Sequence, residues 1–314
     1  MEFKHRQLDN GLTIVGEING DAQSAAVGFF VRTGSRDETP QISGVSHFLE
    51  HMLFKGTETL SPLEVNEAFD RLGAKFNAFT SEENTVYYAA VLPEYLEAVA
   101  DLWAQLMRPT LRQDDFDMEK QVILEEIAMY LDMPDFLVFD RGRELFFEGH
   151  PCGNSVLGTV DSITGLTAEQ MRAYFNKRYA PNNMTLACCG NFDFDRLCQL
   201  VQRQCGAWTR QETSRLTPPC CGAIQKVYEQ KTGLNRRHLA MYSDSVSMQD
   251  DRWYAAKLLS VILGDHSGSR YFWSLVDPAI ADTAFMELAA MDATGAFCSY
   301  VCCDPENAAQ VEDI

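Results

Sequence analysis

The chain has 314 residues, of which 46% are hydrophobic, so it can form two domains with a sizeable core, and global disorder is disfavoured. Its formal net charge of −19 argues against a nucleic-acid partner, because phosphate recognition needs a basic surface. No apolar run approaches the ~20 residues of a membrane span, so no membrane partner is expected.

The N-terminus and the cysteines indicate the cellular compartment. Residues 1–6 lack the apolar core of a signal peptide. The ten cysteines include three adjacent pairs and no Cys-x-x-Cys, which argues against a disulfide framework and against a cysteine-zinc knuckle. We therefore expect a cytoplasmic protein with reduced thiols.

Hydrophobic patterning predicts a mixture of strands and helices, an α+β fold class, for the first part of the chain. An Asn-Gly turn at 9–11 joins the first two strands as a hairpin. The predicted strands cover 3–8, 12–15, 25–31, 76–81, 85–91 and 183–189. The predicted helices cover 44–56, 61–72, 93–107, 114–131, 167–179 and 193–205, with further helices up to about 147.

Residues 217–222, Thr-Pro-Pro-Cys-Cys-Gly, interrupt this pattern. We place a first domain at 1–215, a linker at 216–226 and a second domain at 227–314. A strand, a polar loop and a helix at 238–263 repeat the order of 25–54, although chance resemblance stays open on pattern alone. The second domain is short, so either the protein stops early or the sequence belongs to a longer chain.

The segment 44–56 carries the strongest chemical signal. His47 and His51 are four residues apart, so they lie one turn apart on one helix face, where two imidazoles can bind one divalent ion. Glu50 lies beside them and is a candidate for moving a proton. Histidine nitrogen suits zinc, and the order His-x-x-Glu-His is a zinc-peptidase signature. The alternative is a solvated helix face.

A second helix, predicted at 114–131, carries two acids that belong with this signal. Glu119 and Glu126 are seven residues apart, so two turns bring them onto one face. With these motifs the chain resembles the inverted-zincin metallopeptidases, the M16-type family of pitrilysin, insulin-degrading enzyme and mitochondrial processing peptidase. The resemblance covers the whole chain and is strongest at 25–205.

The resemblance implies a Zn²⁺ site. Glu126, 75 positions after His51, matches the family's third ligand, with Glu125 as its rival. The implied ligands are then His47, His51 and Glu126. Glu50 would be the general base, which takes a proton from the attacking water. Glu119 matches an additional acid of the catalytic site, where it would orient a ligand or tune the electrostatics, unless it is a surface charge.

The resemblance also implies substrate contacts. Residues 73–80, Gly-Ala-Lys-Phe-Asn-Ala-Phe-Thr, are similar to the family's edge strand, which binds the peptide substrate as an added strand. Asn77, Ala78 and Phe79 are the candidate contacts there, and Asn77 as a plain edge residue is the alternative. Arg270 matches a substrate-binding position of the second domain or is a salt-bridging surface residue.

One segment departs from the family pattern. In 275–282, Val276 occupies the position where an arginine is expected, and no tyrosine follows. This departure indicates that a partner or another copy, in a homo- or heterodimer, completes the substrate chamber.

The implied fold is two related α/β-sandwich-like domains, each a mostly antiparallel sheet packed with helices, the second incomplete in this chain. The implied function is a zinc-dependent endopeptidase that hydrolyses peptides or unfolded segments in a closed chamber. The alternative is a non-catalytic or partner-dependent subunit of a heteromeric assembly of this family. The retained zinc motif favours the enzyme.

Overall fold

The computed structural model describes residues 1–218 and 220–313, which form two compact units. The first unit comprises Met1–Ile127 and Asn154–Arg215, and the second comprises Ala128–Gly153 and the described residues from Leu216 onward. Pro219, in the predicted linker, and Ile314, at the end of the predicted second domain, lie outside the described residues. The predicted domain bounds stay a prediction, because a compact unit is not necessarily a domain and 128–153 groups with the later residues.

The first unit is built on a six-stranded sheet with the strand order β1-β2-β6-β3-β5-β4. Its pairs are antiparallel except for the parallel pair of β2 and β6. The strand β4 therefore forms one edge of this sheet. The strands are β1 (Glu2–Gln7), β2 (Thr13–Ile18), β3 (Ala25–Val31), β4 (Lys75–Thr80), β5 (Thr85–Val91) and β6 (Met184–Gly190).

Helices occur in groups between these strands, and a mostly antiparallel sheet packed with helices confirms the α+β fold class. The first eight are α1 (Val45–Leu53), α2 (Pro62–Arg71), α3 (Leu96–Leu106), α4 (Gln113–Leu131), α5 (Pro134–Phe146), α6 (Val160–Gly165), α7 (Ala168–Arg178) and α8 (Phe194–Cys205). The helix predicted at 44–56 is shorter than expected, because α1 ends at Leu53 and the chain turns at Gly56 with a φ of +93°.

Local sequence signals explain where the helices begin. Ser61 Oγ accepts a hydrogen bond from the Glu64 N–H, while the Glu64 carboxylate accepts from the Ser61 N–H at 2.8 Å. Pro62 occupies the first turn, where a missing N–H costs nothing. The helix start predicted at Ser61 is confirmed, and the same reciprocal cap between Thr167 and Gln170 begins α7.

The core of the first unit lies between the sheet and its helices. The helices α1 and α3 pack against β3, β4 and β5. Trp103 of α3 is fully buried against Tyr87 of β5 and Phe69 of α2. Phe48 of α1 stacks on Phe116 of α4 with ring centroids 4.8 Å apart. This packing fixes α1 beside α4, the two helices that carry the candidate ligands.

The second unit contains a three-stranded antiparallel sheet with the order β7-β9-β8. Its remaining elements are β7 (Arg237–Asp244), α9 (Trp253–Gly264), β8 (Ala281–Met291), β9 (Thr294–Cys303) and α10 (Ala308–Asp313). The helix α9 packs against β8. Within residues 1–218 and 220–313, no helix combines the length and the apolar character needed to cross a bilayer.

Candidate metal centre

The first turn of α1 is fixed by a buried carboxylate. Glu38 accepts hydrogen bonds from the Gly44 N–H at 2.6 Å and from the Ser46 N–H at 2.7 Å. These bonds satisfy backbone donors that a helix N-terminus leaves unpaired. Burial raises the pKa of Glu38 to about 8, although the two backbone bonds oppose that rise. Gly44 has a φ of +88°, and a Cβ there would lie 2.5 Å from the Leu157 carbonyl oxygen, so the turn requires glycine.

Three side chains converge where α1 faces α4. His47 Nε2 lies 3.7 Å from Glu126 Oε2, and His51 Nε2 lies 3.5 Å from the same oxygen. One ligand atom from each of the three lies within 4.8 Å of the others. Most residues of α1 are buried, His47 among them, whereas Glu50 and His51 are half-buried. The structure thus brings the two predicted histidines and Glu126 together.

The two histidines differ in their electrostatic surroundings. Burial, together with the neighbouring His51, lowers the pKa of His47 to about 3, so this imidazole is neutral and free to act as a ligand. Burial also tends to lower the pKa of His51. The hydrogen bond to Glu119 and the nearby carboxylates outweigh this and raise the pKa of His51 above its ordinary value.

Glu119 contacts the side of His51 that faces away from Glu126. Its Oε1 lies 2.9 Å from His51 Nδ1, and its Oε2 pairs with the ammonium group of Lys55. Burial tends to raise the pKa of Glu119, but the bonds to His51 and Lys55 outweigh it and leave the pKa below its ordinary value. The ionised carboxylate therefore accepts from Nδ1–H and leaves the lone pair of Nε2 directed toward Glu126.

Lys55 was missed by the sequence reasoning. The available signal was its spacing. Lys55 follows His51 by four residues, which predicts that the two side chains lie one turn apart on the same face.

Glu50 lies beside these side chains but is not one of the three converging residues, His47, His51 and Glu126. Its Oε2 accepts a hydrogen bond from Thr80 Oγ1 at 2.7 Å. Burial raises the pKa of Glu50, and the charge of Glu126 adds to the rise. Thr80 was also missed by the sequence reasoning, since nothing local to β4 indicates which acid its hydroxyl meets.

The residues fit a zinc ion. Glu126 Oε2 is buried and has no hydrogen-bond partner among the described residues. In a tetrahedral zinc site, ligand atoms about 2.0–2.1 Å from the metal are roughly 3.4 Å from one another. The observed 3.5 and 3.7 Å separations approach that value, and two imidazoles with one carboxylate are a zinc donor set. Glu125, the rival ligand, is exposed.

The strand β4 offers only part of its backbone to a ligand. The Ser81 N–H donates to the Asn84 carbonyl at 2.8 Å, so this pair closes the turn between β4 and β5. Hydrogen-bonded and non-hydrogen-bonded pairs alternate along an antiparallel ladder. By that alternation the backbone groups of Ala78 and Thr80 point to the open edge, whereas those of Asn77 are used by β5.

The predicted substrate residues therefore differ in what they offer. Ala78 presents its backbone N–H at the edge, where the side-chain oxygen of Asn77 accepts it at 2.9 Å. Phe79 is 48% exposed and packs edge-on against Tyr88 of β5, so it offers an aromatic ring on the outer face.

Arg270 belongs to the second unit, and its predicted role stays a prediction. It is exposed and has no hydrogen bond or ion pair with another described residue. Val276, where the family pattern has an arginine, packs instead against the buried cluster that contains Leu275, Ala281 and Val301. Here this position belongs to the core of the second unit.

An α+β fold that carries a His-x-x-Glu-His helix next to a third carboxylate defines the zinc-protease class. Residues 13–160 match the model of the insulinase family, peptidase family M16, and residues 165–314 match that of the peptidase M16 inactive domain. The chain belongs to peptidase family M16.

Curated relatives support this membership. An uncharacterized zinc protease of Bacillus subtilis, YmxG, is 35% identical over 86% of this chain and 66% of its own length. An uncharacterized zinc protease of Streptomyces coelicolor is 33% identical over 98% of this chain and 68% of its own length. The chain thus spans about two thirds of the length of these relatives.

Solved structures share the fold. A protease from Helicobacter pylori superposes with a TM-score of 0.91 at 24% identity, covering 99% of this chain and 79% of that one. A peptidase M16 inactive domain from Pseudomonas fluorescens gives a TM-score of 0.86 at 18% identity, covering 98% of this chain and 75% of that one. At these identities the likeness concerns the fold alone.

Proposed function

We propose that the chain is a zinc-dependent endopeptidase that hydrolyses peptides or unfolded segments held as an added β-strand. One observation carries the proposal: the Nε2 atoms of His47 and His51 converge on Glu126 Oε2, a buried oxygen that has no hydrogen-bond partner among the described residues. Glu50 lies beside them. The names of the curated relatives, uncharacterized zinc proteases, agree with it.

The ligand roles follow from the atoms that converge. His47 Nε2, His51 Nε2 and Glu126 Oε2 would hold the ion, with Glu119 keeping the ring of His51 in the required tautomer. Zinc, when bound, would supply Lewis-acid chemistry that activates water and polarises the scissile carbonyl.

Glu50 would carry the proton. Thr80 holds its Oε2, while its Oε1 has no hydrogen-bond partner in the described part of the chain. That free oxygen can take a proton from the attacking water and later deliver it to the leaving amine. Burial raises the pKa of Glu50, which brings it closer to neutral pH than the pKa of an exposed glutamate. This suits a group that both accepts and donates a proton.

The substrate would lie along β4. A peptide that pairs with this edge would take the N–H and C=O of Ala78, which requires the Asn77 side chain to release the Ala78 N–H. Main-chain pairing tolerates varied side chains, so selectivity would come from the surface next to the strand. The exposed rings of Phe79 and Tyr88 would favour apolar side chains on that face.

The test is a pair of substitutions in the metal-loaded protein. Glu50→Gln should keep stoichiometric zinc, because Glu50 is not a ligand, and should abolish chelator-sensitive cleavage of a fluorogenic peptide library. His51→Ala should lose the metal as measured by elemental analysis. Glu58→Gln, an exposed acid outside the site, is the matched control and should retain both properties. Cleavage by fully loaded Glu50→Gln protein would contradict the general-base role.

A second candidate function is a partner-dependent or non-catalytic subunit of a heteromeric M16-type assembly. It is favoured by Val276, which packs in the core of the second unit where the family pattern has an arginine. On this reading the isolated chain binds zinc but cleaves peptide only with a second copy or a related subunit. Size-exclusion chromatography combined with cleavage at rising protein concentration separates the two readings.

A further inference from the structure

We propose that Thr80 is a positioning residue that fixes the carboxylate of Glu50 for catalysis and links it to the strand on which the peptide lies. The inference rests on the proposed peptidase function and extends it to a residue of the sheet edge. The Thr80 hydroxyl bonds to Glu50 and makes no hydrogen bond to His47, His51 or Glu126.

Thr80 and Glu50 are joined by a direct hydrogen bond. Thr80 Oγ1 donates to Glu50 Oε2 at 2.7 Å, and this is the hydrogen bond that the Glu50 carboxylate receives within residues 1–218 and 220–313. Thr80 is half-buried at the end of β4, on the inward-facing side of the strand with Ala78 and Phe76. A β-branched side chain has a restricted χ1, so its hydroxyl is presented in a defined direction.

The bond from Thr80 restricts the orientation of the Glu50 carboxylate. A carboxylate on a glutamate side chain can rotate, and the charge of Glu126 acts on Glu50 unfavourably. The Thr80 hydroxyl fixes Oε2, so that Oε1 is the oxygen left to receive a proton. Without the hydroxyl, Glu50 would spend less time in the orientation that proton transfer requires.

Hydrogen bonds hold the turn that follows Thr80 in place. The turn that follows it is closed by the Ser81–Asn84 backbone bond, and the Arg36 N–H donates to the Glu82 carbonyl at 2.9 Å. The Arg36 guanidinium contacts the Glu83 carboxylate at 2.6 Å. Arg215 donates to the Glu83 carbonyl, also at 2.6 Å. The turn is thereby tied to the rest of the first unit, and Thr80 is held from behind.

Thr80 also belongs to the strand edge at which the peptide would pair. Along β4 the backbone groups of Thr80 point to the open edge, as those of Ala78 do. A peptide that adds to this edge would therefore pair with the same residue whose side chain holds Glu50. Removing the hydroxyl leaves those backbone groups in place, so it should change turnover and leave peptide affinity unchanged.

The experiment compares Thr80→Val with Thr80→Ser in the zinc-loaded protein. The valine variant keeps the shape and loses the donor, so kcat should fall about 10- to 100-fold while KM stays within about twofold. The serine variant keeps the donor and should retain at least about half of the wild-type kcat. Zinc affinity should stay within about twofold in both variants, because the Thr80 hydroxyl makes no hydrogen bond to His47, His51 or Glu126.

Thr185→Val is the matched control. Thr185 is a half-buried threonine of β6 in the same sheet, and its side chain makes no hydrogen bond with another described residue. It should keep wild-type kcat and KM. An unchanged kcat in Thr80→Val would overturn the proposal while leaving the peptidase function intact, and so would a serine variant as impaired as the valine variant.

Failure of the proposed function has a different signature, namely a zinc-loaded wild-type chain that cleaves no peptide. The Thr80–Glu50 contact is then decided by a double-mutant cycle on unfolding with Thr80→Val, Glu50→Leu and the double variant. A coupling of about tenfold or more in the unfolding equilibrium constant would support the positioning contact. Additive effects would overturn it.

Discussion

Replacing Glu119 by alanine should weaken zinc binding about 100-fold, although Glu119 itself is no ligand. Removing the carboxylate partner of a metal-binding histidine typically costs 10- to 100-fold in metal affinity. In this protein the upper end is expected, because Glu119 is 4% exposed, lies 2.9 Å from His51 Nδ1 and also neutralises Lys55. Glu119→Gln keeps an acceptor oxygen for His51 and should cost only about tenfold. These losses correspond to about 2.7 and 1.4 kcal/mol of binding free energy.

The assay is a competition titration of zinc between the protein and a chromophoric chelator at neutral pH. Glu125→Gln is the matched control, since Glu125 is an exposed acid on the same helix. It should bind zinc as the wild type does. Wild-type affinity in Glu119→Ala would refute the claim that Glu119 supports His51. Loss of zinc in the Glu125 variant, with zinc retained by Glu126→Gln, would instead identify Glu125 as the third ligand.

The remaining predictions concern stability. Because burial raises the pKa of Glu38 from 4.5 to about 8, the folded state binds a proton there that the unfolded state releases, so the free energy of unfolding should fall as pH rises from about 4.5 to 8. Glu38→Gln should flatten that fall in urea titrations at several pH values, and an unchanged slope would contradict it. Arg215→Met should lower the free energy of unfolding by about 3 kcal/mol, since it breaks a buried pair in which Arg215 Nη2 lies 2.6 Å from Asp37 Oδ2. Arg210→Met, on an exposed side chain nearby in sequence, should change it by less than about 0.5 kcal/mol in the same urea titration.

Elements with local signals were predictable from the sequence. The apolar run of β3 predicted the strand at the bounds observed, Ala25–Val31, because a short run of apolar residues rich in Val and Phe favours a strand, even though Phe30 is exposed on its outer face. The Ser61 cap with Glu64 predicted the start of α2, since both partners lie within four residues of each other. The spacing of His47 and His51 predicted their shared face for the same reason.

Features that depend on distant contacts were not predictable in this way. The parallel pairing of β2 with β6 joins Thr13 to Thr185, and no local pattern encodes that register. Resemblance supplied Glu126 as a candidate ligand, but the choice between adjacent glutamates depends on how α4 rotates against α1. The stacking of Phe48 on Phe116 contributes to that rotation. The roles of Thr80 and Lys55 were not predictable because their partners, Glu50 and Glu119, are acids on other elements.

The geometry of the site therefore depends both on spacing within one helix and on contacts between distant elements. The helix α1 alone sets the spacing of His47, Glu50 and His51, so the motif is readable along the sequence. The remaining contacts come from α4 and β4, which carry Glu119, Glu126 and Thr80. A change on α4 should then act first on zinc affinity, and a change at the end of β4 should act first on turnover. Since the two helices and the strand meet through one packed core, a variant that loosens that core should lose both properties together, which distinguishes it from substitutions at the site itself.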